Sequence, residues 1–99
     1  MMQITYNREA EKLTVTPEGR IDTITAPEFE AKLGELISGI SELVLDMAKV
    51  DYISSAGLRV MLKVQKVMFH QGKMTLVNVN ETVMEVFEIT GFADILNIE

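Results

Sequence analysis

Short strand-like patterns and longer helix-like patterns alternate along this chain, and this alternation limits the folds that it can adopt. Apolar and polar residues alternate at 4–6 and again at 13–15, which predicts two strands joined by a turn at 9–11. The continuous apolar run 43–45 predicts a central strand covered on both faces, and the apolar residues of 74–79 predict the last strand. With three helical segments between and after these strands, the order is β-β-α-β-α-β-α. This order predicts an α/β fold with a central mixed sheet of about four strands, an antiparallel first strand and flanking helices.

Three segments carry apolar residues at helical spacing. The first opens with the sequence of a capping box at 25–28, with proline in its first turn, and Gly39 is expected to end it. The second runs from Ser55 to Gly72, and the third is expected to lie between a cap at Asn80 and Gly91. The residues expected on the buried faces are Phe29, Leu33, Leu36 and Ile37 in the first helix, Val60, Met61, Val64, Val67 and Met68 in the second, and Val83, Phe87 and Thr90 in the third.

The composition limits the kinds of partner that the chain can have. Its 99 residues are enough for a single domain covering 1–99, with one core. The formal net charge of −6 argues against binding nucleic acid, because phosphates need a basic surface, so we expect the partner to be a protein. The first residues lack the apolar region of a signal peptide, and no apolar run approaches the roughly 18 residues of a membrane span. We therefore expect a soluble, cytoplasmic protein that does not bind membranes.

Two adjacent serines, Ser54 and Ser55, lie where the second helix is expected to begin. The first turn of a helix leaves backbone N–H groups without intrahelical partners and carries a partial positive charge. A serine hydroxyl can cap such a turn, and a phosphate group is also well accommodated there. The pair is therefore either a simple helix cap or a modification site.

Four stretches of the chain resemble the signature of the STAS domain, and they occur in its usual order and spacing. The most specific is the run I-S-S-A-G-L-R at 53–59, which follows the strand residues V-L-D at 44–46. The others are G-R-I-D-T-I-T-A at 19–26, G-K-M-T-L-V-N-V at 72–79 and V-F-E-I-T-G-F at 86–92. Because these stretches cover most of the chain, it is identified as a member of this family. The family includes bacterial anti-sigma factor antagonists and the cytoplasmic tails of sulfate transporters.

The resemblance implies a phosphorylation site and a partner-binding surface. In anti-sigma factor antagonists the modified serine lies directly before a [S/T/A]-G-L motif, and this pattern selects Ser55. Ser54 is the secondary candidate, and it stands where many relatives carry an aspartate. The positions that the resemblance assigns to partner binding are Asp22, Thr25, Ser54, Gly57, Leu58 and Arg59.

The resemblance also implies a partner-switching cycle that regulates transcription. The unphosphorylated protein binds a serine kinase that is also an anti-sigma factor, and a sigma factor is released. Phosphorylation of Ser55 by the kinase ends the complex, and a PP2C-type phosphatase restores the starting state.

Several of the implied residues have simpler interpretations. The resemblance implies that the loop of Asp22 lies beside the serine loop, at the same end of the sheet. Asp22 then either orients the serine hydroxyl or contacts the kinase, or it only forms an Asx turn. Gly57 indicates a close approach, either by a neighbouring part of the chain or by a partner. The basic residues Arg59, Lys63, Lys66 and His70 share one stripe of the second helix. This stripe is either a solvated face or a patch that steers an acidic partner.

The sequence does not offer the residues of an obvious enzyme. It has no cysteine, and Asp46 and Asp51 lack the further oxygen ligands that Mg²⁺ would need, so we expect neither a cofactor nor a metal. Neither a nucleophile with its base nor a phosphate-binding loop is present at convincing spacing. We expect a substrate of an enzyme rather than an enzyme. A STAS protein that serves as a scaffold, a nucleotide sensor or a lipid-transport accessory subunit remains the alternative.

Overall fold

The computed structural model describes residues 2–99, which form five strands and three α-helices. Their bounds are β1 (Gln3–Glu9), β2 (Lys12–Ile21), α1 (Ala26–Leu36), β3 (Glu42–Asp46), β4 (Val50–Ile53), α2 (Ser55–Gln71), β5 (Lys73–Val77) and α3 (Glu81–Thr90), followed by a 3₁₀ turn at Phe92–Asp94. The predicted α/β class and the mixed central sheet are confirmed, with one strand more than the sequence pattern indicated.

The sheet is built around β2, its longest strand. β1 pairs with β2 in antiparallel fashion, as predicted, and the strand order is β1-β2-β3-β5 with β3 and β5 parallel to β2. Residues 12–15 of β2 pair with β3, whereas 19–21 pair with β4 after a register shift between Gly19 and Arg20. The strand β2 thus pairs with β3 along its first residues and with β4 along its last residues.

The strand β4 was missing from the predicted order, and Asp51 lies within it. The strand is only four residues long, and exposed Asp51 and half-buried Tyr52 separate its two buried ends, Val50 and Ile53. This pattern does not alternate with a period of two, so it carries no strand signal.

The strand β3 occupies the predicted central position but is not covered equally on its two faces. Leu43 and Leu45 are fully buried, whereas Val44 between them is half-buried. Expecting both faces to be covered was therefore wrong. The core lies mainly on the face of Leu43 and Leu45, where it is completed by helix residues such as Phe29, Leu33 and Met61.

The ends and faces of the helices differ from expectation at a few residues. α1 ends at Leu36, before Gly39, which follows in a turn with a φ of +77°. Asn80 caps α3 by accepting a hydrogen bond from the N–H of Val83 at 2.8 Å, as predicted. Val67 is 44% exposed and Thr90 is exposed, so neither lies on a buried face.

Gly72 ends α2 at a point of close backbone approach. A Cβ atom added there would lie 1.8 Å from the carbonyl oxygen of Ser41, which is backbone and cannot rotate away. Glycine is therefore required by space.

We predict that Gly72→Ala lowers the free energy of unfolding by about 1–3 kcal/mol, because the backbone around Ser41 must move. The matched control is Gly34→Ala at an exposed position of α1, where an added Cβ meets nothing within 4 Å. This variant should be more stable by about 0.4–1 kcal/mol, because alanine has fewer unfolded conformations than glycine. Urea denaturation measures both changes, and equal stabilities for the two variants would contradict the packing at Gly72.

Candidate functional site

The pairing of β2 with β4 brings two loops to the same edge of the sheet. Ile21, the last residue of β2, pairs with Ile53, the last residue of β4, and its carbonyl oxygen accepts a hydrogen bond from the N–H of Ser54 at 2.9 Å. The loop that leads into α1 therefore begins beside the serine pair that leads into α2. This adjacency was expected from the sequence and is confirmed.

The two serines differ in how accessible their hydroxyl groups are. Ser54 occupies the N-cap position of α2, and its carbonyl oxygen accepts a hydrogen bond from the N–H of Leu58 at 2.9 Å. Its side chain makes no cap hydrogen bond, and its Oγ atom is inaccessible to solvent and has no partner among residues 2–99. Ser55 is the first residue of α2 and is exposed, as predicted. The simple interpretation, in which a serine hydroxyl caps the helix, therefore fails.

Gly57 allows α2 to approach the ends of β2 and β4. A Cβ atom at this position would lie 2.6 Å from Cγ1 of Ile53 and 2.8 Å from Cγ2 of Ile21. Both Gly57 and its neighbour Leu58 are buried. Packing within the chain explains these two residues, and we do not retain them as direct partner contacts.

Asp22 organises the loop between β2 and α1. Its Oδ1 atom accepts hydrogen bonds from the N–H groups of Ile24 at 3.0 Å and Thr25 at 3.1 Å, which confirms the Asx turn. The hydroxyl of Thr25 donates to the carbonyl oxygen of Arg20 at 2.7 Å and accepts from the N–H of Asp22 at 2.9 Å. Because this hydroxyl is engaged by backbone groups of the loop, Thr25 occupies the N-cap position of α1 without a side-chain cap bond. The predicted capping box is therefore wrong.

Arg20 contacts this loop from the end of β2, a role that no sequence pattern indicated. Its Nε atom lies 3.5 Å from Oδ2 of Asp22, and its guanidinium carbon lies 4.5 Å from the centre of the Tyr52 ring. Arg20 and Tyr52 are partners in the β2–β4 register, so recognising β4 would have been the only way to find this contact.

Ile24 presents an apolar side chain at the same edge. It is 83% exposed, more than any other large apolar side chain in the described part of the chain. In the sequence it lies between two threonines, in the loop that the hydrogen bonds of Asp22 stabilise. An apolar residue within a polar loop is the sequence signal that could have identified it. We add Ile24 to the candidate partner surface.

The predicted basic stripe is exposed on α2, but its members are not equivalent. Nζ of Lys63 lies 2.7 Å from Oε2 of Glu30 on α1, whereas Arg59 and Lys66 belong to none of the ion pairs within residues 2–99. An open cleft of about 400 Å³ separates the beginnings of α1 and α2, and Thr23, Pro27 and Arg59 are among its lining residues. Within residues 2–99, Arg59 and Lys66 are therefore the permanently charged members of the stripe that have no ion-pair partner.

Residues 2–99 provide neither a metal-binding cluster nor a membrane-spanning helix. This part of the chain contains no group of three or more histidine, aspartate or glutamate residues arranged to hold a metal ion. None of its helices combines the length and the apolar character needed to cross a membrane.

The hydrogen bonds at Asp22 predict a pH-dependent contribution to stability. The pKa of Asp22 lies below its ordinary value of 3.8, chiefly because the N–H of Thr25 donates to the carboxylate, with further lowering by Ile24 and Arg20 and an opposing effect of desolvation. A carboxylate with a lowered pKa stabilises the fold above its unfolded-state pKa, and this contribution is lost as the pH falls through the folded-state pKa.

We therefore predict that Asp22→Asn, which keeps the accepting oxygen but removes the charge, lowers the melting temperature at pH 7. The difference from the wild type should shrink below the ordinary pKa of 3.8 and vanish at lower pH. Asp22→Ala, which also removes the acceptor, should remain less stable than the wild type even in acid. Thermal melts between pH 2 and pH 7 measure this, and a deficit of Asp22→Asn that does not depend on pH would contradict it.

Comparison with known proteins agrees with this architecture. A sequence model of the STAS domain matches residues 2–99. BtrV of Bordetella bronchiseptica, whose name provisionally assigns it to the anti-sigma factor antagonists, is 37% identical over 98% of this chain and 85% of its own length. The anti-sigma-B factor antagonist of Bacillus subtilis is 33% identical over 87% of this chain and 80% of its own length.

A solved structure shows the same fold. The Bacillus cell fate determinant SpoIIAA, solved in its phosphorylated form, superposes with a TM-score of 0.73 at 17% identity, over 100% of this chain and 91% of that one. The chain therefore belongs to the STAS domain family, and the named relatives that it resembles within that family are anti-sigma factor antagonists.

Proposed function

We propose that this protein is an anti-sigma factor antagonist whose binding is switched off by phosphorylation of Ser55. In its unphosphorylated form it binds an anti-sigma factor that is also a serine kinase, and this frees a sigma factor. A PP2C-type phosphatase removes the phosphate and restores binding. The observation that carries the proposal is the exposed position of Ser55 at the first residue of α2, within the family motif and beside the loop of Asp22.

Accessibility favours Ser55 over Ser54 as the phosphorylated residue. A kinase must reach the hydroxyl oxygen, and the Oγ atom of Ser54 is inaccessible in the folded protein. The backbone of Ser54 is also held by hydrogen bonds to Ile21 and Leu58, so exposing its side chain would require opening the start of α2. Ser55 can be modified without such a change.

The physical effect of a phosphate at Ser55 differs between the free protein and the complex. In the free protein the phosphate, with about −1.5 to −2 charges, meets water and the favourable field of a helix N-terminus, so the fold survives. In an interface the phosphate brings a buried negative charge that is not fully compensated, which costs about 3–5 kcal/mol, or a factor of roughly a hundred to several thousand in affinity. The modification would therefore act on binding.

The proposed partner surface is the edge formed by the two loops and the first turns of α2. Asp22 and Thr25 fix the shape of the first loop, which presents the apolar side chain of Ile24. Ser55 and Arg59 continue this surface along α2. An apolar contact beside charged ones is the usual arrangement of a specific protein interface.

The first test is labelling by the cognate kinase. Incubation with the kinase and ATP should add one phosphate. Ser55→Ala should abolish labelling while retaining kinase binding, since Ser55 is exposed and the N-cap of α2 is the neighbouring Ser54. Ser55→Asp should fold and bind the kinase more weakly, because a negative charge is tolerated at a helix N-terminus but not in the interface. Mass spectrometry locates the phosphate.

Ser54→Ala is the matched control and should leave labelling largely intact. A phosphate on Ser54 would place the modification one residue earlier than proposed. If neither serine is labelled by any kinase of the source cell, the proposed function is wrong. A STAS scaffold, nucleotide sensor or lipid-transport accessory protein would then be the better hypothesis.

The second test concerns the basic stripe. Reversing the charges of Arg59 and Lys66, which have no ion-pair partners in the described structure, should slow association with the kinase and flatten its dependence on salt. Reversing Lys49, which is paired with Glu18 away from the stripe, is the control. Stopped-flow association rates at low ionic strength measure the effect, and unchanged rates would mean that the stripe is only a solvated face.

A further inference from the structure

Arg59 lies one helical turn after Ser55 on the same side of α2. Residues four apart on a helix are neighbours, with Cβ atoms about 5–6 Å apart. Both residues are exposed, so neither side chain is held by packing in the core. A group attached to the hydroxyl of Ser55 would therefore be within reach of the Arg59 guanidinium.

Arg59 is also the nearby cation that is not already engaged. Nζ of Lys63 is 2.7 Å from Glu30, and Nε of Arg20 is 3.5 Å from Asp22. Lys66 is unpaired in residues 2–99, but it is eleven residues after Ser55, which is about 16 Å along the helix axis. Arg59 therefore has a guanidinium without an ion-pair partner that lies within reach of a phosphate on Ser55.

We propose that Arg59 binds the phosphate of phosphorylated Ser55 within the same chain. This inference rests on the proposed modification of Ser55 and assigns the group that receives it. A guanidinium offers two parallel N–H donors to phosphate oxygens, and an acidic group four residues before a basic one is the more favourable orientation on a helix. The pair forms by rotation of side chains alone and needs no change in the backbone.

The consequence is that one modification changes two features of the partner surface. Before phosphorylation, Arg59 is a free cation on the proposed interface and can pair with an acidic group of the kinase. After phosphorylation, its charge is compensated within the chain and is no longer offered to the partner. The phosphate therefore adds a bulky anion and withdraws an attractive cation at the same time.

The test uses the full chain with phosphoserine installed at position 55 during translation, so no kinase is needed. A ³¹P NMR titration follows the second ionisation of the phosphate in the wild type and in Arg59→Gln, Arg59→Lys and Lys66→Gln. A nearby cation favours the dianion, so we expect the phosphate pKa to be lower in the wild type than in Arg59→Gln, by about a two-fold change in proton affinity.

Arg59→Lys should fall between these two, and Lys66→Gln, which removes the same charge from the same face, should titrate like the wild type. The same phosphate pKa in the wild type and in Arg59→Gln would overturn the inference. A pKa shift in Lys66→Gln as large as that in Arg59→Gln would also overturn it, because it would show only the general effect of removing a positive charge. These outcomes are independent of the proposed function. If a kinase labels Ser55 but Arg59→Gln does not change the phosphate pKa, the proposed function holds and the Arg59 contact is wrong. If Arg59→Gln changes the phosphate pKa but no kinase labels Ser55, the proposed function is wrong and only the phosphate contact is supported.

Discussion

The parallel pairing between the end of β2 and β4 is the interaction on which the candidate site depends. The carbonyl oxygen of Ile21 accepts the N–H of Ser54 at 2.9 Å, and this bond joins the exit of one strand to the start of α2. Gly57 lets the first turn of α2 pack directly against Ile21 and Ile53, because any larger residue would collide with them. The loop of Asp22 and the serine pair therefore have fixed positions relative to each other, although they are separated by about thirty residues of chain.

A site fixed in this way suits a switch that works through its surface. The backbone at Ser54 is tied to both Ile21 and Leu58, so a charge added to the neighbouring Ser55 cannot easily be relieved by moving the helix start. The added charge must instead be met by solvent or by a nearby cation, and Arg59 is the free one. We therefore propose that phosphorylation changes the surface that the partner meets while the rigid edge keeps the fold the same.

Much of this could be predicted from the sequence, and the failures have physical causes. The motif around Ser55 placed the exposed serine at the helix start because it is local, with strand, serine pair and helix following one another directly. β4 was missed because a four-residue strand with an exposed centre has no periodic signal, and the contact of Arg20 with Tyr52 was lost with it. The capping box failed because Asp22, three residues before Thr25, accepts the N–H of Thr25 and donates its own N–H to the Thr25 hydroxyl. Local propensity cannot weigh this competing arrangement. The inaccessible hydroxyl of Ser54 depends on the packing of the finished fold.

The central claim is that a phosphate on Ser55 weakens kinase binding without unfolding the protein. The most direct measurement is calorimetric titration of the kinase with the unmodified chain and with the chain carrying phosphoserine at position 55, both shown by circular dichroism to be folded. We predict that the phosphorylated chain binds with an affinity lower by at least a factor of about one hundred, because Arg59 neutralises only part of the phosphate charge that is forced into the interface. Equal affinities of two folded proteins for the kinase would contradict it.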